Sequence, residues 1–96
     1  MREATYQTYL ISFLQNMFPG CFILKNDSGY LQGVPDLLVL HRGKWAMLEV
    51  KTRENAPEQP NQRHYVEYLN GLSYATFIYP ENEEEVLNDL QLLFTS

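Results

Sequence analysis

The chain has little of several things that would assign a protein to a particular class. Its 96 residues include one cysteine, Cys21, which excludes an intramolecular disulfide framework and is compatible with a reducing compartment. No apolar stretch approaches the roughly 20 residues of a membrane span. The first residues contain no hydrophobic region of the kind found in signal peptides. We therefore expect a globular cytoplasmic protein that does not associate with a membrane.

Basic residues are also scarce. Seven lysines and arginines stand against twelve acidic residues, for a net charge of −5. This balance argues against tight binding to long nucleic acid duplexes, because phosphate contacts need positive charge. The distribution weakens that argument, since residues 1–79 contain seven acidic and seven basic side chains. The acidic excess lies near the end of the chain, at Glu81, Glu83, Glu84, Glu85 and Asp89. We interpret this run as the solvated start of a helix.

Two apolar segments joined by a short turn predict a β-hairpin in the middle of the chain. Residues 37–41 and 44–50 read as strands, and Arg42-Gly43 between them provides a glycine where a positive φ is needed. A two-residue loop fixes the register of the strands that it joins. In that register Asp36 lies opposite Glu49, with Cβ atoms roughly 4.5–5.5 Å apart.

Asp36, Glu49 and Lys51 form the candidate site. Lys51 lies two residues after Glu49 and therefore points to the same face of the sheet. Opposed carboxylates destabilise a sheet unless a cation lies between them or one of them is protonated. Carboxylate and carbonyl oxygens are the ligands that Mg²⁺ prefers. The alternative is a surface salt-bridge cluster, which the apolar surroundings of these residues disfavour.

The remaining patterns predict the other elements and their order. Apolar periodicity and turn signals predict helices over 3–17, 60–70 and 83–94, and strands over 21–25 and 74–79. Gly71 is the predicted stop of the second helix, and residues 52–60 form a loop. The predicted fold is α/β, with a mixed four-stranded sheet flanked by helices in the order αβββαβα. One domain over residues 1–96 is expected, with its last strand parallel to its neighbour.

At the candidate site the chain resembles the PD-(D/E)XK nucleases, in particular the small VRR-NUC-like, phage-type and Holliday-junction-resolvase-like members. Pro35-Asp36 stands for the PD of the motif and Glu49-Val50-Lys51 for the (D/E)XK. Further residues that match the VRR-NUC pattern are Gly33, Thr52, Gln62 and the early helical Glu3. The resemblance spans roughly residues 1–80.

This resemblance implies a restriction-endonuclease-like core and a metal-dependent nuclease that hydrolyses DNA. The implied ligands of Mg²⁺ or Mn²⁺ are Asp36, Glu49 and the backbone carbonyl of Val50, with Glu3 as outer support for this ion or for a second one. The alternative for Glu3 is a first-turn glutamate that the helix dipole favours. The ion would activate a water molecule and polarise the scissile phosphate.

Lys51 would position that water or stabilise the transition state. Gln62 lies three residues before Tyr65 and four before Val66, so it faces the sheet. It would orient the water or bind a phosphate, and the alternative is a satisfied amide at the start of the helix.

The substrate and the partners are less constrained by the residues. A small nuclease core has little surface for reading base sequence, which favours branched or ended DNA, namely junctions, flaps or ends. A homodimer would place two sites on two strands. Lys25, Arg53 and Arg63 are the candidate phosphate contacts, and a partner protein could supply additional affinity for DNA. The rival hypothesis is a catalytically silent interaction protein on the same fold, such as a phage-encoded modulator that acts in the host-cell cytoplasm.

Overall fold

The structure, a computed structural model, describes residues 1–96 as three α-helices and a four-stranded sheet. The elements are α1 (Glu3–Met17), β1 (Phe22–Lys25), β2 (Leu37–His41), β3 (Lys44–Val50), α2 (Gln62–Leu72), β4 (Tyr74–Ile78) and α3 (Glu83–Thr95). A 3₁₀ turn, Pro80–Asn82, precedes α3. None of the helices has the length and apolar character needed to cross a membrane. The predicted α/β class and element order are confirmed.

The sheet has the strand order β1-β2-β3-β4 and is mixed, as predicted. The first three strands are antiparallel, and β4 pairs in parallel with β3 after the helical crossover through α2. The hairpin register pairs Leu37 with Leu48 and His41 with Lys44. Arg42 and Gly43 both have positive φ, of 55° and 78°, which matches the twist of the two strands.

One face of the sheet forms the hydrophobic core. Alternate residues of β2 and β3 point to this core face and are fully buried, namely Leu37, Val39, Ala46, Leu48 and Val50. Apolar side chains of α1 and α3 cover them. The opposite face, which we call the outer face, is covered by α2 only where that helix packs on β3 and β4. The candidate site and its surroundings lie on this outer face.

The boundaries of α2 differ from the prediction. The helix begins at Gln62 and not at Pro60, because Asn61 takes a left-handed conformation with φ of 71°. It also continues through Gly71, the predicted stop, and ends when the N–H of Ser73 donates to the carbonyl of Leu69. A Cβ at Gly71 would contact nothing, so this glycine serves neither a turn nor a close approach.

The acidic run at the start of α3 does more than face solvent. The carboxylate of Glu83 accepts hydrogen bonds from the hydroxyl groups of Tyr6, at 2.7 Å, and Tyr9, at 3.3 Å. Tyr6 is almost completely buried, and burial together with Glu83 raises the pKa of its hydroxyl group. Glu83 therefore joins α3 to α1. This contact differs from the prediction that the acidic run is only the solvated start of a helix.

Candidate functional site

The strand register places three polar residues in one row across the outer face. Lys25 pairs with Leu37, and Leu37 with Leu48, so the next positions along the strands are Asn26, Asp36 and Glu49. The N–H of Asn26 donates to the carbonyl of Asp36 at 2.8 Å, which extends the pairing of β1 and β2 by one residue. We call Asn26, Asp36 and Glu49 the polar row.

Asp36 is joined to the end of β3 through its side chain. Its Oδ2 accepts a hydrogen bond from the N–H of Val50 at 2.9 Å. The next residue, Lys51, donates its N–H to Ile78 of β4. Because consecutive strand residues direct their backbone groups to opposite neighbours, both the N–H and the carbonyl of Val50 lie on the Asp36 side. The predicted backbone ligand therefore faces the predicted carboxylate.

Glu49 is a buried carboxyl group with one unsatisfied oxygen. Its side chain is 1% exposed, and Oε2 accepts a hydrogen bond from Nε2 of Gln62 at 3.0 Å. Oε1 is buried and has no hydrogen-bond partner. Burial and the neighbouring Asp36 raise the pKa of Glu49 to about 9. An acceptor in this state is suited to a shared proton or a cation.

Gln62 connects Glu49 to Lys51. Its Oε1 accepts hydrogen bonds from Nζ of Lys51 and from the N–H of Gln59, each at 2.8 Å. Two donors on the same atom identify it as the amide oxygen, so the amide nitrogen must face Glu49. The inward orientation of Gln62 agrees with its predicted place on the buried side of α2.

Lys51 lies on the outer face but does not contact the carboxylates. Its side chain is 7% exposed, and Nζ donates to the carbonyl of Pro57 at 3.0 Å as well as to Gln62. No ion pair joins Lys51 to Asp36 or Glu49. The ammonium lies instead beside a second cleft of about 240 Å³, which Arg63 and Phe77 also line. Gln62 thus stands between the lysine and the carboxylates.

Glu3, at the start of α1, lies at the rim of the site. It lines the same cleft as Asp36 and Glu49, and burial together with Asp36 raises the pKa of its carboxyl group. No three acidic, histidine or cysteine side chains of the chain are close enough to hold one metal ion together. Asp36 and Glu49 therefore form a pair, and Glu3 lies at the rim of their cleft without completing a three-residue ligand set.

These groups border a cleft of about 480 Å³, which we call the carboxylate cleft. Its lining residues are Glu3, Ser28, Gln32, Gly33, Val34, Asp36, Glu49, Gln59 and Gln62. Gly33 has φ of +90°, and a Cβ there would lie 2.7 Å from the carbonyl oxygen of Pro60. Only glycine permits the loop before Asp36 to pack this closely on the start of α2, which explains the glycine of the motif.

The three predicted phosphate-contact residues do not form one patch. Lys25 is exposed on β1, at one edge of the sheet, whereas Arg63 lies over the ring of Phe77 on β4, at the other edge. Arg63 also pairs with Glu58 and lies 3.9 Å from Glu67. Arg53 is exposed, and its Nε donates to Asn55. Arg63 must release Glu58 before it can bind a phosphate fully.

Asn26 is a candidate positioning residue that the sequence reasoning missed. Its Nδ2 donates to the carbonyl of Pro35 at 2.8 Å, so its side chain and backbone together hold the Pro35-Asp36 segment. In the sequence, Asn26 begins a run of turn-forming residues, Asn26-Asp27-Ser28-Gly29, which gives no sign of a site. Only the pairing of β1 with β2 places Asn26 beside Asp36. An asparagine at the end of a strand that pairs with the motif strand is the signal that could have found it.

The chain can be compared with known proteins by its sequence and by its fold. No protein-family model matches the chain, and no curated protein matches it. A solved structure described as "VRR_NUC domain protein" superposes with a TM-score of 0.73, covering 99% of this chain and 89% of that chain at 21% identity. The chain therefore has a VRR-NUC-like nuclease fold.

Proposed function

We propose that this chain is a metal-dependent nuclease that hydrolyses phosphodiester bonds of DNA with branches or ends. One observation carries the proposal: Glu49 is buried beside Asp36, and its Oε1 has no hydrogen-bond partner. Without a ligand, Glu49 must either keep a proton beside Asp36 or place a second buried charge there, and both states cost stability near neutral pH. A cation bound between the two carboxyl groups would remove this cost. The nuclease-type fold also supports a metal-dependent nuclease.

The oxygen atoms around Glu49 fit a hard divalent cation. Asp36, Glu49 and the Val50 carbonyl would hold Mg²⁺ or Mn²⁺, with Glu3 as outer support at the rim. When bound, the ion would supply a Lewis acid for the scissile phosphate. Two of these ligand groups are already held by hydrogen bonds. The carboxyl group of Glu49 accepts one from Gln62, and that of Asp36 accepts one from the N–H of Val50.

Lys51 and Gln62 would supply the hydrogen bonds that orient the groups of the site. Gln62 orients Glu49, and Lys51 in turn fixes the orientation of the Gln62 amide. A lysine ammonium has three N–H donors, and two of them are used by Pro57 and Gln62. Because Lys51 borders the second cleft and not the carboxylate cleft, its third donor would stabilise negative charge on a phosphate oxygen of a substrate that extends into that second cleft.

The charge distribution favours a substrate recognised by shape. Residues 1–79 have no net charge, so one copy of the chain has little electrostatic attraction for long duplexes. Lys25 and Arg53 are exposed cations that would bind phosphates directly, and Arg63 would do so after release from Glu58. DNA affinity would also come from a second copy of the chain or from a partner protein.

The net charge of −5 favours a second candidate, an interaction protein on the same fold that has lost catalysis. Such a protein would gain nothing from a buried carboxyl group with an unsatisfied oxygen beside a second carboxylate. Replacement of either group by a neutral side chain would stabilise it. The two candidates therefore differ in whether the polar row binds a metal ion.

The test is calorimetric titration of Mn²⁺ into the wild type and the variant Asp36→Asn, with Asp27→Asn as the matched control. Asp27 is an exposed aspartate in the loop after β1 and does not line the carboxylate cleft. We expect saturable binding in the wild type and the control, and loss of it in Asp36→Asn. Incubation with a four-way junction, a flap and a plain duplex then identifies the substrate.

Metal-dependent cleavage of the junction or the flap that disappears in Asp36→Asn would support the proposal. Saturable binding without cleavage of any of the three DNAs would contradict the nuclease activity. Absence of binding in the wild type would favour the interaction protein. Equal binding in all three proteins would place the ion outside the polar row.

A further inference from the structure

The polar row continues onto β4 with an aromatic side chain. Phe77 of β4 is the cross-strand partner of Glu49, so it lies one strand spacing, about 4.8 Å, farther along the row. Its side chain lines the second cleft together with that of Lys51. An aromatic residue therefore lies next to the buried carboxyl group of the candidate site.

The guanidinium group of Arg63 lies over this aromatic ring, 5.0 Å from the centroid of Phe77. Its Nε and Nη2 both donate to the carboxylate of Glu58, and its Nη1 lies 3.9 Å from the carboxylate of Glu67. Fork-shaped bonds of this kind run in the plane of the guanidinium and occupy its edges. The side chain is nevertheless 59% exposed. The face that points away from Phe77 is therefore open to solvent.

The surroundings of this open face favour a neutral, flat group over an anion. Two carboxylates accompany one guanidinium, so the local charge is negative, and a phosphate would have to displace Glu58 from Arg63. A nucleobase is neutral, and bases stack both on aromatic rings and on guanidinium planes. Stacking uses the face of the guanidinium and leaves its edges paired. A base can therefore bind here without breaking a contact of the arginine.

We propose that Phe77 and Arg63 form a stacking platform for one unpaired or terminal nucleobase of the substrate. Inside an intact duplex the neighbouring base pairs cover both faces of every base, so only ends, flaps and branch points offer a free face. At about 240 Å³ the second cleft is smaller than the roughly 300–1,000 Å³ of most ligand pockets, which suits one base and not a base pair. The third N–H donor of Lys51 lies in the same cleft and serves the phosphate attached to that base.

This inference rests on the proposed function and narrows its substrate. The feature that distinguishes branched or ended DNA from plain duplex is then a free base face next to the polar row. Stacking also requires no positive net charge, which suits a chain with a net charge of −5. Glu58 has a constructive role in this arrangement, because it holds the guanidinium of Arg63 by its edges over the ring.

The experiment is fluorescence anisotropy with two labelled single strands of equal length, a deoxyadenylate strand and an abasic strand. The abasic strand keeps the phosphates and lacks the bases, so the ratio of the two affinities measures stacking. A chelator in the buffer prevents metal-dependent cleavage. The variants are Arg63→Lys, which keeps the charge and loses the plane, Phe77→Leu, which loses the ring, and Glu58→Gln. The matched control for Glu58→Gln is Glu84→Gln, at an exposed glutamate of α3.

We expect the wild type and Glu84→Gln to bind the deoxyadenylate strand about tenfold more tightly than the abasic strand. Arg63→Lys and Phe77→Leu should lose most of this preference. Glu58→Gln should reduce it by about threefold, because the guanidinium is no longer held over the ring. Thermal melting by circular dichroism confirms that each variant is folded, and if Phe77→Leu does not fold, Arg63→Lys decides.

A wild type that binds both strands equally, or binds neither, would overturn the inference. An Arg63→Lys variant that keeps the preference would do so as well. A Glu58→Gln variant with higher affinity for both strands alike would make Arg63 a phosphate contact and not a platform. Mn²⁺ titration of the same samples separates the two proposals. Mn²⁺ binding without a preference for bases refutes only the platform, and a preference for bases without Mn²⁺ binding refutes only the metal-dependent nuclease.

Discussion

The two faces of the β2–β3 hairpin are built from alternate residues of the same strands, yet they differ in almost every physical property. On the core face, Leu37, Val39 and Leu48 are fully buried among apolar side chains of α1 and α3. On the outer face, the same strands carry the polar row at one end and exposed apolar residues at the other. The alternation of side chains along the strands thus separates the hydrophobic core from the candidate site within fifteen residues, 36–50.

The comparison shows that the polar groups that lower the stability of this small protein lie on the outer face of the sheet. The core face contains no buried side-chain nitrogen or oxygen that lacks a partner, whereas the outer face buries Glu49 with an unsatisfied oxygen and buries Lys51 between neutral acceptors. Groups of this kind lower the free energy of unfolding and persist only where something else depends on them. The following predictions test that division, from the largest expected effect to the smallest.

Adjacent leucines offer the most direct comparison of the faces. Leu37→Ala removes a fully buried side chain from the core and should lower the free energy of unfolding by about 2–5 kcal/mol. Leu38→Ala, one residue along on the half-exposed outer face, should cost about 1 kcal/mol in a dilute monomeric sample. Urea denaturation measures both, and equal losses would show that the faces do not differ as we describe.

The carboxyl group of Glu49 should make stability depend on pH. Burial and Asp36 raise its pKa from 4.5 to about 9, so the folded protein keeps a proton that the unfolded chain releases between these values. Its contribution to stability is therefore complete below the lower value and is lost as the pH rises through the higher one. Glu49→Gln stays neutral and should be more stable than the metal-free wild type at about pH 8, by about 1–3 kcal/mol.

That difference should largely disappear at about pH 4, where the wild-type side chain is neutral in both the folded and the unfolded chain. Glu54→Gln, at an exposed glutamate, is the control and should match the wild type at both pH values. Urea denaturation without divalent ions gives the comparison. A Glu49→Gln variant that is no more stable than the wild type at the higher pH would show that burial of the Glu49 carboxyl group does not lower the free energy of unfolding.

Asn26 should affect the site more than the fold. Asn26→Ala loses the hydrogen bond to the Pro35 carbonyl, which should cost about 1 kcal/mol of stability. Because that bond holds the segment that carries Asp36, Mn²⁺ affinity should fall by about tenfold. Asn55→Ala, at an exposed loop asparagine, is the control. A stability loss with unchanged Mn²⁺ affinity would reduce Asn26 to a purely structural role.

The local features of the fold were predictable from the sequence because short-range signals determine them. Arg42-Gly43 specified the hairpin and its register, and that register brought Asp36 and Glu49 to one face. The spacing of Gln62 from Tyr65 and Val66 placed its side chain toward the sheet, where it contacts Glu49. Turn chemistry and strand alternation carry information of this kind over a few residues.

Features that depend on the path of loops were not predictable. The ammonium of Lys51 turns to the Pro57 carbonyl because the loop after β3 folds back over it, and no periodic pattern specifies that path. The pairing of Arg63 with Glu58 depends on the same loop. Asn26 gains its role from the pairing of β1 with β2, a contact between segments joined by a long irregular loop. Long-range packing decides all three.

The central claim is that Asp36 and Glu49 together form a divalent cation site, and proton release on Mn²⁺ binding tests it most directly. Titration calorimetry near neutral pH, repeated in buffers with different ionisation enthalpies, counts the protons released for each ion bound. Since the pKa of Glu49 is raised to about 9, the ion must displace its proton, and we predict release of about one proton for each Mn²⁺. Absence of binding, or binding that releases no proton and persists in Glu49→Gln, would contradict the claim.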